Sequence, residues 1–281
     1  MPVLGIDVGG TSVKARVTGE DGAVLAQWRE PTPHGDVAAL AAMVRRFTER
    51  HPVDAVGLVV PGVVDERNGR CLLAVNLGWH DVPVRDVVAA ELAVPLAFGQ
   101  DVRAGALAEF RTGAAAGDGG TVLFVPVGTG LAGALVVRGE VLDSGGWAGE
   151  LGQVLLAEGP HAGARVEEIA SAAAVARRAG APDALTVASL VRQGDPKARA
   201  VWEDCVRVLA ESIAWTVAVA GCSTVVVGGG LAEAGPLLLD PLAREVAART
   251  GVLRTPALVR AAHGDAAAVV GATLLAREVA A

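Results

Sequence analysis

The sequence predicts an α/β protein made of two similar halves, two facing domains with a cleft between them. Three observations carry this. Apolar runs of strand length alternate with helical periodicity along all 281 residues. The opening "VLGIDVGGTSVKARVTG" returns weakly as "TVLFVPVGTGLAGALVVRG", the two aligning at Gly9 and Gly128 with a one-residue slip in the second strand. The composition is 52% hydrophobic with 3% aromatics, 36 glycines and no tyrosine, which argues for a compact core of small side chains and against disorder.

The elements follow in order. Residues 3–8 are apolar, 12–18 alternate, and "AVLAQWRE" follows the turn at Asp21-Gly22, which together predict a three-strand meander. A helix near 36–50 takes Asp36 as its N-cap and aligns Val37, Leu40, Ala41, Val44 and Phe47 on one face. "AVGLVVPG" reads as a buried strand with a Pro-Gly stop. A hairpin near 63–75, a helix near 84–93, the strand "PLAFGQ" and a helix at about 102–113 come next. After the repeated strand–turn–strand, helices are expected at about 165–179, 186–193 and 196–219. A strand at "STVVVGG", a helix near 233–250, a strand near 257–261 and a last helix at 266–280 complete the chain. The domains are expected at 1–99 with 264–281, and at 100–263.

The net charge of −7 disfavours a general nucleic-acid binder, although a local nucleotide site remains open. Cys71, Cys205 and Cys222 are far apart and match no zinc spacing, so reduced structural thiols are expected. The amino terminus enters "VLGIDVGG" without room for a signal peptide, and apolar runs such as "AWTVAVAGCSTVVVGGG" are broken by glycine and polar residues. The expectation is a soluble, cytoplasmic protein.

Four segments carry residues suited to chemistry. In "DVGGTSVK", Gly9 and Gly10 bare the backbone for an anion, Thr11 adds a hydroxyl and Lys14 a cation. Asp7 ends a buried strand, where a carboxylate needs a metal, a water or donors. A plain Gly-rich turn with a satisfied Asp fits the same residues. The second segment, "VGTGLAG", offers Gly128, Thr129 and Gly130; paired with the first, it forms two loops able to hold a polyphosphate. No P-loop or Rossmann fingerprint stands at a strand-to-helix junction. In "FGQDVRAG", Asp101 follows a strand at a helix start, which suits either an N-cap or a general base. Gly228, Gly229 and Gly230 follow a buried strand, where a flat ring has room against the backbone.

DxGGTxxK at 7–14, PG at 61–62, "NLGW" at 76–79, Asp101, GTG at 128–130, "AGELG" at 148–152, GGG at 228–230 and "GDAAAVVGA" at 264–272 occur in this order. Together they resemble the ROK family (repressors, open reading frames and kinases), over nearly the whole chain. The resemblance implies an actin-like ATPase fold of two ribonuclease-H-like domains closing over ATP, Mg²⁺ and a sugar. It implies that Asp7 holds Mg²⁺ through water while Gly9, Gly10 and Thr11, with Lys14 nearby, meet the transferred phosphate. Gly128, Thr129 and Gly130 would cradle the other phosphates, and Gly228, Gly229 and Gly230 would border adenosine. Asp101 matches the family's catalytic base for a primary sugar hydroxyl. Gly62, Asn76, Gln100, Glu150, Gln153 and Glu167 fall at substrate positions, with Glu168 the alternative to Glu167 if the register slips by one. A homodimer is also implied.

"GELGQVLLAEGPHAGARVEEIAS", residues 149–171, departs from that pattern. Family members carry a His and three Cys here that hold a structural zinc. This chain has Gln153 in place of the His and no Cys in the segment, so no zinc site is expected, and His161 reads as a surface-loop residue. Gln100 stands where the family has Asn, which puts glucose itself in question and opens amino sugars and cyclitols. Three other readings stay beside the ATP-dependent sugar kinase: a polyphosphate-dependent glucokinase, a non-catalytic sugar-binding module and a repressor. A repressor carries a winged-helix segment ahead of this body, whereas this chain is acidic and opens on its first strand. No nucleic-acid or membrane partner is expected.

Overall fold

The computed structural model describes residues 1–280. The chain opens with β1 (Val3–Val8), β2 (Ser12–Thr18), β3 (Val24–Pro31), α1 (Val37–Arg50), β4 (Ala55–Val60), β5 (Val63–Asp65) and β6 (Arg70–Ala74). β7 (Trp79–Val82), α2 (Val84–Ala89), β8 (Leu96–Gln100) and α3 (Asp101–Thr112) follow. Next come β9 (Thr121–Pro126), β10 (Ala134–Val137), β11 (Glu140–Val141), α4 (Val166–Ala170), α5 (Ala172–Ala179), α6 (Ala184–Arg192) and α7 (Pro196–Ala220). β12 (Cys222–Gly228), α8 (Gly229–Ala232), α9 (Pro236–Thr250), β13 (Ala257–Arg260) and α10 (Ala267–Ala280) end the chain.

Two compact units result. The first holds Met1–Ala108, Asp143–Ala148 and the residues from Ala266 on; the second holds Glu109–Leu142 and Gly149–Asp265. Residues 100–108 and 143–148 thus group with the first unit, where the sequence reading places them in the second. Packing explains this: α3 runs straight on from β8, a Cβ on Gly271 of α10 would strike the Ala104 backbone, and one on Gly146 would strike Val64.

In the first unit the main sheet has the order β3-β2-β1-β4-β8, with β1 pairing antiparallel to β2 and parallel to β4. β1 and β4 are buried along their whole length, as central strands covered on both faces must be, whereas edge strand β3 is largely exposed. α1 starts where Asp36 accepts from Ala39 N at 2.9 Å, and Leu40, Val44 and Phe47 join Leu4, Ile6 and Val8 in one core. On the other face α10 lies so close that a methyl on Gly5 would meet Thr273 and one on Gly57 the Ala272 carbonyl. A small sheet, β5-β6-β7, adds a third strand to the expected hairpin.

In the second unit the sheet order is β11-β10-β9-β12-β13, again an antiparallel hairpin beside a parallel strand. The weak sequence repeat therefore encodes a repeated topology. α7 fills the core with Trp202, Cys205, Leu209 and Ile213. One of the expected helices is split, and another is preceded by a short helical turn that was not expected. Ser171, extended at φ −89° and ψ 159°, caps α5 by accepting from Ala174 N, and Gly235 at φ +62° separates α8 from α9. All three cysteines are buried free thiols; burial pushes Cys205 up to about 12 and Cys71 and Cys222 up to about 11. Among the described residues no helix is long and apolar enough to cross a membrane.

Candidate active site

The turn between β1 and β2 is built on glycine. Gly9 N donates to Ser12 O at 3.0 Å, and the Thr32 hydroxyl donates to Gly9 O at 2.6 Å. A Cβ on Gly10 would sit 3.1 Å from Asn76 Nδ2, so the missing side chain lets the "NLGW" turn approach. Strand register sets Asp7 opposite Lys14, and the carboxylate lies 3.7 Å from the ammonium with Asp7 almost fully buried. Thr11 is exposed at the tip. Gly62 has φ +96°, and a side chain there would strike the Leu73 carbonyl, so the Pro-Gly corner requires glycine.

The end of β8 carries a dense polar cluster. Asp101 Oδ1 accepts from Gln100 Nε2 and from its neighbour Val102 N, each at 2.8 Å. The bond expected of an N-cap is made instead by Gln100, whose Oε1 accepts from Arg103 N at 2.7 Å. The N-cap reading of Asp101 is thereby replaced. Glu66 Oε1 accepts from Gln100 N at 2.9 Å and from Arg103 Nε at 2.7 Å, and Arg103 Nη2 donates to Val64 O at 2.7 Å. Sequence reasoning missed Glu66 and Arg103. A pair 37 positions apart leaves no local pattern, and the one available cue was an arginine two residues after the candidate base.

In the second unit the two glycine turns touch through their backbones. Val127 N donates to Gly228 O at 2.9 Å and Leu231 N to Val127 O at 3.1 Å. Gly229, at φ +75°, has no room for a Cβ against Val127. A Cβ on Gly128 or Gly230 would meet open space, so packing does not require glycine there. Thr129 and Gly130 are exposed on the same turn.

The acidic segment folds onto this turn. Gln153 Nε2 donates to Glu167 Oε1 at 2.9 Å, and Leu131 N to Glu167 Oε2 at 3.4 Å. Glu150 begins the short turn Leu151–Gln153, its carbonyl accepting from Gln153 N at 3.1 Å. Glu168 is spent on the start of α4, accepting from Arg165 N at 2.8 Å. His161 is not a plain surface-loop residue. Its Nε2 lies 2.9 Å from Asp204 Oδ2 of α7, which also accepts from Arg178 Nη2 at 2.6 Å. Burial raises the Asp204 carboxyl, but hydrogen bonds from Arg178 and His161 outweigh it and hold the group below the usual carboxylate range. Among the described residues no group of three or more His, Cys, Asp or Glu is arranged to hold a metal ion.

The sequence model of the ROK family matches residues 3–279. The chain belongs to the ROK family. A glucokinase of Streptomyces coelicolor is 30% identical over 310 residues, covering 98% of this chain and 97% of its own length. An N-acetylmannosamine kinase of Yersinia pseudotuberculosis is 30% identical over 293 residues, covering 98% of each. The crystal structure of a ROK family glucokinase from Streptomyces griseus, in complex with glucose and AMPPNP, matches with a TM-score of 0.84 at 29% identity, over 99% of this chain and 100% of that one. This ROK chain accordingly has the mixed α/β, two-domain, actin-like ATPase fold. Its ROK motifs form two groups. Asp7, Gly9, Gly10, Thr11, Lys14, Gly62, Asn76, Gln100 and Asp101 lie in the first unit; the two glycine turns with Glu150, Gln153 and Glu167 lie in the second.

Proposed function

We propose that the protein transfers the γ-phosphoryl group of ATP to a hydroxyl, the primary one, of a hexose-like substrate: glucose, an amino sugar or a cyclitol. The observation that carries this reading is the Asp101 carboxylate. It stands at the carboxyl end of a parallel strand, where α/β proteins bind ligands, and neighbouring donors fix it. Asp101 accepts the hydroxyl proton as the substrate oxygen bonds to the γ-phosphorus. The bond from that phosphorus to the β–γ bridging oxygen breaks, and ADP leaves with the electron pair.

The other residues position and neutralise. Asp7 suits a magnesium ion held through water, because such ions take one or two carboxylates and otherwise water and phosphate. The ion's charge, when bound, offsets that of the phosphates. Gly9, Gly10, Thr11 and Lys14 meet the transferred phosphate. Gly128, Thr129 and Gly130 hold the remaining phosphates and Gly228, Gly229 and Gly230 border adenosine, in keeping with the open space at Gly128 and Gly230. Gly62, Asn76, Glu150, Gln153 and Glu167 bind the substrate, since carboxylates and amides pair with adjacent hydroxyls. The full-length similarity to a glucokinase and an N-acetylmannosamine kinase supports a sugar as acceptor. Such an enzyme works where ATP is, in the cytoplasm. Trp215 and Val219, exposed one turn apart on α7, support a homodimer.

The test is a phosphoryl-transfer screen of the purified protein across hexoses, amino sugars, N-acetyl sugars and cyclitols, with ATP or polyphosphate as donor. The reading predicts ADP formation that needs both one of these acceptors and Mg²⁺. Transfer from polyphosphate alone would overturn the donor, and transfer from neither would overturn the kinase.

A further inference from the structure

Gln100 is 6% exposed and Arg103 4%, yet both are polar and both adjoin Asp101. Buried polar groups must be satisfied, and here each partner fixes the next. Arg103 N is an obligate donor, so the end of the Gln100 amide 2.7 Å from it is the oxygen. The other end is then the NH₂ group, 2.8 Å from Asp101 Oδ1. Arg103 cannot drift, because its guanidinium is bonded to Glu66 Oε1 and Val64 O. Glu66 in turn holds Gln100 N, closing a ring of Gln100, Glu66 and Arg103 beneath the carboxylate. The Gln100 side chain is thus directed into the protein at its acceptor end and onto Asp101 at its donor end.

We infer that Gln100 is a positioning residue: its amide caps α3 and aims Asp101, supported by Glu66 and Arg103, and it does not read the substrate. This rests on the kinase reading with Asp101 as base. The bonds from Gln100 Nε2 and Val102 N both fall on Oδ1 and restrain the carboxylate, and so the direction from which a hydroxyl proton is taken. The neighbouring ring makes the geometry depend on the length of the side chain at position 100. Asparagine, one methylene shorter, still caps the helix but cannot reach Asp101 Oδ1 from the same place.

The experiment compares Gln100→Asn and Gln100→Ala with the unmodified enzyme for kcat and KM on a panel of sugars, with thermal unfolding alongside. The expected result for Gln100→Asn is an unfolding temperature near the parent's, kcat down about 10- to 100-fold and KM within about threefold, as misplaced catalytic groups behave. The order of preference among sugars stays the same. Gln100→Ala shows the same kcat loss with lower stability, because the cap goes too. If either variant keeps its kcat but shifts KM or reorders the sugars, Gln100 contacts substrate and the inference is wrong. Asp101→Asn in the same panel separates the two readings, for normal turnover there would sink the base itself, whatever Gln100 does.

Discussion

Gln153 Nε2 and Leu131 N converge on the two oxygens of Glu167, at 2.9 and 3.4 Å, and so fasten one acid to the turn that carries Gly128 to Gly130. The adjacent Glu168 is turned to the backbone of Arg165. This difference in use predicts a difference in phenotype. Glu167→Gln should raise the substrate KM about 10- to 100-fold, the scale of a hydrogen bond to a charged group. Glu168→Ala should leave KM alone and cost about 1 kcal/mol of stability through the lost cap. Steady-state kinetics with thermal unfolding check both, and the reverse pattern would place Glu168 at the substrate.

Asp204 ties the loop at His161 to α7, with Arg178 as its second partner. Its carboxyl is lower in the folded protein than the ordinary value of 3.8. The stabilisation is therefore present above that value and is lost as pH falls through the depressed folded pKa. Asp204→Asn should lower the unfolding temperature at pH 7, and the gap to the parent should shrink below about pH 4. A gap that stays constant on acidification would exclude the carboxylate as its source.

Gly229 and Gly230 offer a paired test of the nucleotide turn. Gly229→Ala forces a side chain at φ +75° against Val127 and should cost about 1–2 kcal/mol of stability or more. Gly230→Ala enters open space and should leave stability unchanged while raising KM for ATP. Equal ATP kinetics in the parent and Gly230→Ala would remove that turn from the nucleotide site.

Trp215 and Val219 are 71% and 87% exposed on α7, large apolar surfaces to leave in water. Trp215→Glu with Val219→Glu should convert a dimer to a monomer by light scattering while the fold survives. An unchanged mass would locate the subunit contact elsewhere.

Much of the fold was legible because its cues are local. The apolar run of Val3–Val8, the alternation of Ser12–Thr18 and Asp36 before the first long helix lie within short windows, and the echo of Gly9 at Gly128 compares two such windows. The break at Ser171 and the separate turn α8 ahead of Gly235 were not legible, since both residues act through backbone angles that the apolar pattern runs across. The same limit applies at the site. Asp101 shows in sequence as an acid after a strand, but the cap that Gln100 provides, and the bonds from Glu66 and Arg103, depend on strands and helices brought together by folding. His161 looked idle because its partner, Asp204, lies 43 residues on.

The most direct test of the account is the rate of sugar-dependent ADP formation by Asp101→Asn under saturating ATP, Mg²⁺ and the best acceptor. A general base contributes about 10²- to 10⁴-fold, so the account predicts a kcat loss in that range with a folded protein that still binds nucleotide. Turnover near that of the unmodified enzyme would contradict it.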